Sequence, residues 1–168
     1  MQTKITVLLW PRRISAADDR PLPEVAVVGD GCYRIRRRRG AELVWFATVE
    51  TEALSYEAER GSLWLNDAGC PVGGSYVNGH TMRTGNDLVA HTPEGADLAF
   101  AFDLERRRLR VTVKNLDKCP QYVIVAPPAN AGNVRLAGSA QELEHYLARG
   151  RLHVIVPPGV TQLEGVID

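Results

Sequence analysis

Short apolar runs alternate with polar residues and are broken about every eight to twelve residues by Gly, Pro, Asn or Asp. That pattern limits the fold more than any other feature, because side chains spaced two apart share a face only on a strand. In 98–104 the residues Leu98, Phe100, Phe102 and Leu104 share one face, and in 109–113 Leu109, Val111 and Val113 do the same. Glu105-Arg106-Arg107 joins the two segments, so an antiparallel hairpin is predicted there.

The same reading predicts strands at about 3–10, 24–29, 32–38, 41–50, 53–59 and 62–66. More follow at about 75–78, 80–83, 87–91, 98–104, 108–114, 121–127, 152–156 and 160–166. Gly29-Asp30-Gly31, Arg39-Gly40 and Arg60-Gly61 supply turn chemistry, and Asn78-Gly79 is the strongest hairpin signal in the chain.

One segment departs from the pattern. Ser139-Ala140-Gln141-Glu142 reads as a capping box, Leu143, Tyr146 and Leu147 as an i, i+3, i+4 stripe, and Gly150 as a C-cap. The expected architecture is therefore all-β, a two-layer antiparallel β-sandwich with one short helix near 139–149 packed on a sheet. A single β-rich domain over 1–168 is expected, with 119–168 as a C-terminal subdomain carrying the helix.

A chain of 168 residues buries roughly 70% of its unfolded surface, enough for a core without metal or disulfide staples. Twenty Lys and Arg balance 20 Asp and Glu, which removes the global pull toward nucleic acid or membrane surfaces. No run reaches the 18 or so apolar residues of a membrane span. Met1 to Trp10 leads into Pro11-Arg12-Arg13 where a small-residue cleavage site would stand, so a strand is read there, not a signal peptide. Cys32, Cys70 and Cys119 are odd in number and widely spaced, which fits a reducing interior and a cytoplasmic location. The Pro-, Asp- and Arg-rich stretch from Arg12 to Pro23 reads as a mobile excursion or a contact arm.

Five arginines crowd six positions at Arg34, Arg36, Arg37, Arg38 and Arg39. On a strand, Arg34, Arg36 and Arg38 would share one face, and guanidinium forks suit phosphate or carboxylate. The same run also reads as a charged edge that discourages aggregation, as the second basic turn at Arg106–Arg108 does. Histidines His80, His91, His145 and His153 have no metal-ligand spacing, and no cofactor is expected. Cys70 could meet His80, His91 or His153 in space as a nucleophile and base, although no helix N-terminus is placed to activate it.

Ser75 in Gly73-Gly74-Ser75-Tyr76 is not a nucleophile elbow, and no phosphate-binding loop is present. Paired acids such as Glu50 with Glu52 carry no spacing that identifies a glycosidase. Trp10, Trp45, Trp64, Tyr33, Tyr56 and Tyr76 fall on expected strands and offer either core or a stacking surface for sugars or bases. Trp45 and Phe46 are adjacent and point to opposite faces, so at most one lies on the core side. The other is covered by a second layer, by a partner or by nothing, and it is the best pointer in the sequence to an interaction surface.

Residues 63–89, LWLNDAGCPVGGSYVNGHTMRTGNDLV, resemble the second half of a forkhead-associated domain. Asp67, Gly74, Ser75, Tyr76, Val77, Asn78 and Gly79 match that family's strand–loop–Asn-Gly pattern, with Gly85, Asn86, Asp87 and Leu88 a loose fit. The family's Gly-Arg pair and Ser-x-x-His are missing, and Cys70-Pro71-Val72-Gly73 replaces its Ser-x-Asn-Gly. The resemblance implies a degenerate, scaffolding version of the phosphothreonine-binding fold.

Together these readings point to a non-catalytic protein-interaction or assembly module, binding a protein partner or itself, with no specific nucleic-acid or membrane partner. The residues expected to bind are Arg34, Arg36, Arg38, Trp45, Ser75 and Asn78. The alternative is a carbohydrate-binding or carbohydrate-processing β-sandwich, which needs a concave face carrying two or more exposed rings.

Overall fold

The structure is a computed structural model that describes residues 23–50, 54–128, 134–136 and 144–167. Its first strands are β1 (Val25–Gly29), β2 (Cys32–Arg36), β3 (Ala41–Trp45), β4 (Val49–Glu50), β5 (Leu54–Glu57), β6 (Arg60–Leu65) and β7 (Pro71–Thr84). The rest are β8 (Asp87–Asp103), β9 (Arg108–Asn115), β10 (Gln121–Val125), β11 (Val134–Leu136), β12 (His145–Ala148), β13 (Arg151–Val156) and β14 (Gly159–Ile167). Every pairing is antiparallel, and no helix occurs among the described residues.

The architecture is β-sandwich-like and turns on β7 and β8, a hairpin of 14- and 17-residue strands. Their outer portions, Gly73–Tyr76 against Leu98–Ala101, extend the meander β1-β2-β3-β6 and continue into β9, β14 and β11. Their inner portions, Thr81–Thr84 against Asp87–His91, lie between β5 on one side and β10, β13 and β12 on the other. One hairpin thus feeds both layers.

The bend between the two portions falls at Asn78-Gly79, where the pairing register shifts. Asn78 takes a left-handed φ of 47°, and its N–H bonds the Asp97 carboxylate at 2.9 Å in place of a ladder carbonyl. A Cβ on Gly79 would press into the Tyr76 ring and the Ala58 methyl. The Tyr76 hydroxyl meets Thr92 Oγ1 at 2.9 Å, and Thr92 in turn donates to the Gly79 carbonyl at 2.6 Å, which fixes the bend from inside. The Asn-Gly pair is therefore a corner within one strand, not a hairpin turn. The expected strands at 75–78 and 80–83 are a single strand.

Three further expectations are corrected. In place of the helix near 139–149, the described part is strand β12 paired with β13, while the capping box lies outside the described residues. Arg149 (φ 52°) and Gly150 (φ 71°) are both left-handed, the signature of a two-residue type I′ hairpin turn joining Ala148 to Arg151. Gly150 ends a strand, and pairing against β13 overrides the short helical stripe. Arg60-Gly61 opens β6 instead of turning, and the strand expected at 41–50 breaks at Phe46. The strand at 3–10 and nearly all of the arm at 12–23 lie outside the described residues. The hairpin at 98–104 and 108–114 is present, with Leu98 opposite Val113 and Phe100 opposite Val111.

The core fills the space between the layers, with residues from β2 through β14 in one cluster. Its central contact is Trp45 of β3 stacked on Tyr56 of β5, ring centroids 3.7 Å apart and planes within 9°. Trp45 is 0% exposed, so the surface role expected for it gives way to a structural one. Gly61 lies directly opposite Trp45, and a Cβ there would collide with the indole and the Ser75 carbonyl. Gly61→Ala is expected to cost about 1–3 kcal/mol by overpacking. Gly29→Ala, with open space around its Cβ, is expected to stay within about 0.5 kcal/mol. Urea midpoints measure both, and equal midpoints would contradict the packing assignment.

Candidate functional site

The arginine run lies at the β2–β3 turn, beside the loop from Asn66 to Cys70. That loop is self-bonded: Asn66 Oδ1 accepts from the N–H groups of Ala68 at 3.0 Å and Cys70 at 2.9 Å. It also holds the turn, because the Gly40 N–H donates to the Asp67 carboxylate at 2.7 Å and a Cβ on Gly40 would strike the Leu65 carbonyl. Gly40 has a φ of +81°, so only glycine sits there without strain.

Two grooves flank this clamp. One, about 610 Å³, is lined by Arg34, Arg36, Glu24 and Asp67, while the other, about 480 Å³, is lined by Arg37, Arg39, Glu42 and Trp64. Strand β2 ends at Arg36, so Arg38 sits in the turn and does not continue the face of Arg34 and Arg36. Arg36 pairs with Glu24 at 3.3 Å, Arg37 with Glu42, and Arg39 with Glu105 at 2.8 Å. Among the described residues Arg34 and Arg38 have no ion-pair partner. The exposed pairs add little stability, but they offset most of the positive charge. The first groove therefore offers mixed charge, two guanidiniums against two carboxylates, in place of a concentrated anion site.

Trp64 is 40% exposed, and its indole N–H donates to Glu42 at 3.2 Å. The ring lies over Gly73, its cross-strand partner, where a Cβ would collide with the indole. Ser75 is on the same face, its hydroxyl 3.2 Å from that of Ser62. Asn78 is apart from both grooves, at the corner of β7, with its amide donating to Glu59 at 3.0 Å. In the stretch that resembles the forkhead-associated family, both polar side chains thus have partners within the chain.

Cys70 lines a third groove, about 400 Å³, together with Asp87, Arg149 and Arg151, and no histidine is among its lining residues. Among the described residues no three His, Cys, Asp or Glu side chains gather as a metal site. Nor is any described helix long and apolar enough to cross a membrane.

Sequence reasoning missed a cluster on the outer face of β10, β12 and β13. The Tyr122 hydroxyl contacts both the Tyr146 hydroxyl and His153 Nδ1, and Tyr146 stacks on His153 with centroids 4.7 Å apart. The hydrogen bond to Tyr146 is the main cause that pushes the Tyr122 phenol up to about 12. Once 145–148 is read as a strand, the signal is plain: Tyr146 pairs with His153 across two strands, and Ile124 with His153 across the next.

No protein-family model matches this chain, and no curated protein matches it at a significant level.

Burial is the leading cause that pushes the Tyr56 and Tyr76 phenols well above the ordinary value of 10. A raised phenol pKa favours folding fully below pH 10, and the contribution is lost as pH rises above it, because the unfolded chain then releases the proton first. Alkaline titration followed by tyrosinate absorbance is expected to leave these two protonated until the chain unfolds, so part of the signal from the five tyrosines appears with loss of near-UV dichroism. Full ionisation of all five in a chain with native dichroism would contradict the burial.

Proposed function

We propose that the chain is a non-catalytic assembly module whose contact surface is the open edge of β1. One observation carries this reading: Val25, Val27 and Val28 are 45%, 75% and 41% exposed on a strand that pairs, among the described residues, on one side only. An apolar edge with free backbone donors and acceptors invites another strand.

A second copy of this chain fits the edge. In an antiparallel arrangement centred on Ala26, Val25 of one copy lies opposite Val27 of the other, and Ala26 opposite itself. Glu24 then falls at the level of Val28, the bulged residue of β1, so no like charges are opposed. Registers that keep the side-chain faces matched move in steps of two residues, and centring on Val27 would place Glu24 against Asp30 instead. The mixed charge of the adjoining Arg34 and Arg36 groove is likewise compatible with a neutral, self-complementary surface.

Light scattering across a dilution series tests the reading. The wild-type chain is expected to show a discrete oligomer that dissociates on dilution. Val27→Lys is expected to be monomeric at concentrations where the wild type is assembled, with the melting temperature of the dissociated wild type because Val27 is exposed. A wild-type monomer at every concentration, or an oligomer indifferent to Val27→Lys, would overturn it.

A further inference from the structure

The outer face of the β3–β6–β7–β8 sheet carries a feature that assembly through β1 does not use. Pairing registers place Glu42, Trp64, Gly73 and Ala101 in one row across four strands. The next row on the same face is Val44, Ser62, Ser75 and Ala99. Beyond Trp64, toward β8, no side chain in either row is larger than serine. The indole therefore lies over Gly73, with only Gly73 and Ala101 beyond it in its own row as far as β8.

Its orientation is fixed before any ligand arrives. The ring N–H is tied to Glu42, the Glu42 carboxylate is paired with Arg37, and Gly73 removes the only Cβ that would lift the ring off the sheet. A bound ring would not have to pay to order this platform. Indoles are ordinarily buried, so a half-exposed ring held by a hydrogen bond at the wall of a 480 Å³ groove is an arrangement for stacking.

We infer that this face is a binding site for a neutral pyranose unit of a glycan. The apolar C–H face of a pyranose matches the indole in size and polarity. Its equatorial hydroxyls match what surrounds the ring: the Glu42–Arg37 pair at the indole's N–H edge, and the Ser62 and Ser75 hydroxyls in the neighbouring row. The carboxylate and guanidinium offset one another, so the ring edge presents an acceptor and donors without net charge. That favours a neutral sugar over a phosphate or an acidic sugar. The described rows of this face carry one platform ring in place of the two or more expected from the sequence, so the site takes one sugar residue on Trp64, and the groove toward Arg39 and Asp67 extends the contact along a chain.

The site is independent of the β1 edge, which β2 and β3 separate from the strand that carries Trp64, so the two readings fail separately. The test is isothermal titration, with intrinsic fluorescence in parallel, against cello-, xylo-, malto- and chito-oligosaccharides. Saturable binding of at least one of them is expected. Trp64→Ala is expected to weaken it at least about tenfold, while Trp64→Tyr restores part of it and oligomeric state is unchanged. Glu42→Gln, which keeps the shape and removes the charge that holds Arg37, is expected to weaken binding several-fold. Two results would overturn the inference: no saturable heat or fluorescence change with any of the four glycans at millimolar concentration, or binding that is equal in wild type and Trp64→Ala. A change of oligomeric state in Trp64→Ala without any glycan binding would assign the face to protein contact and overturn it as well.

Discussion

The contact at the centre of the core between the two layers is the stack of Trp45 on Tyr56. Each ring belongs to a different layer, and the space for the indole exists only because residue 61 is glycine. The arrangement carries a cost: Trp45 Nε1 and the Tyr56 hydroxyl are buried without a hydrogen-bond partner among the described residues. An unsatisfied buried group costs about 1–3 kcal/mol. Burying an aromatic side chain contributes up to about 4–6 kcal/mol by its area. Packing therefore wins, and Cys32, opposite Trp45 in the register, completes the contact as a small apolar side chain whose thiol is pushed up by burial.

What the core fixes, the surface uses. Because Trp45 anchors β3, its neighbours in the meander are held in register, with β2 and β6 on either side and β1 outermost. The alternation that buries Leu43 and Trp45 turns Glu42 outward to meet Trp64. At the far end of the same strands, the clamp between Gly40 and Asp67 holds the arginine turn, where ion pairs absorb most of the charge. An apolar edge that is unpaired among the described residues, and a hydrogen-bonded indole on a face of small residues, are then presented by a framework that does not need to rearrange to offer them.

Much of the fold was legible because alternation is a local signal. The β8–β9 hairpin, the β1–β2 turn and strands β13 and β14 follow from side chains two residues apart. The failures came where local chemistry serves two structures. Asn78-Gly79 suits a type I′ turn and a strand corner equally, and only the Tyr76–Thr92–Gly79 hydrogen bonds select the corner. Leu143, Tyr146 and Leu147 sit at helical spacing, yet Arg149-Gly150 makes a tight hairpin and the pairing with β13 decides the outcome. For the candidate sites, the arginine run was legible as a surface feature, but its carboxylate partners come from Glu24, Glu42 and Glu105, at distances no sequence spacing encodes. Trp45 and Trp64 looked alike in sequence. Their separation into core and surface depends on which glycine stands opposite each, Gly61 or Gly73, and that is a matter of register between strands.

The central claim is that β1 pairs with β1 of a second copy about Ala26, and disulfide trapping tests it most directly. An antiparallel pair centred there brings the two Ala26 Cα atoms to about 4.5–5.5 Å, within the span of a disulfide. In a Cys119→Ser background, which removes the exposed thiol, Ala26→Cys is expected to oxidise to a covalent dimer while Gly29→Cys does not. A monomeric Ala26→Cys chain under oxidising conditions, or equal trapping at both positions, would contradict the account.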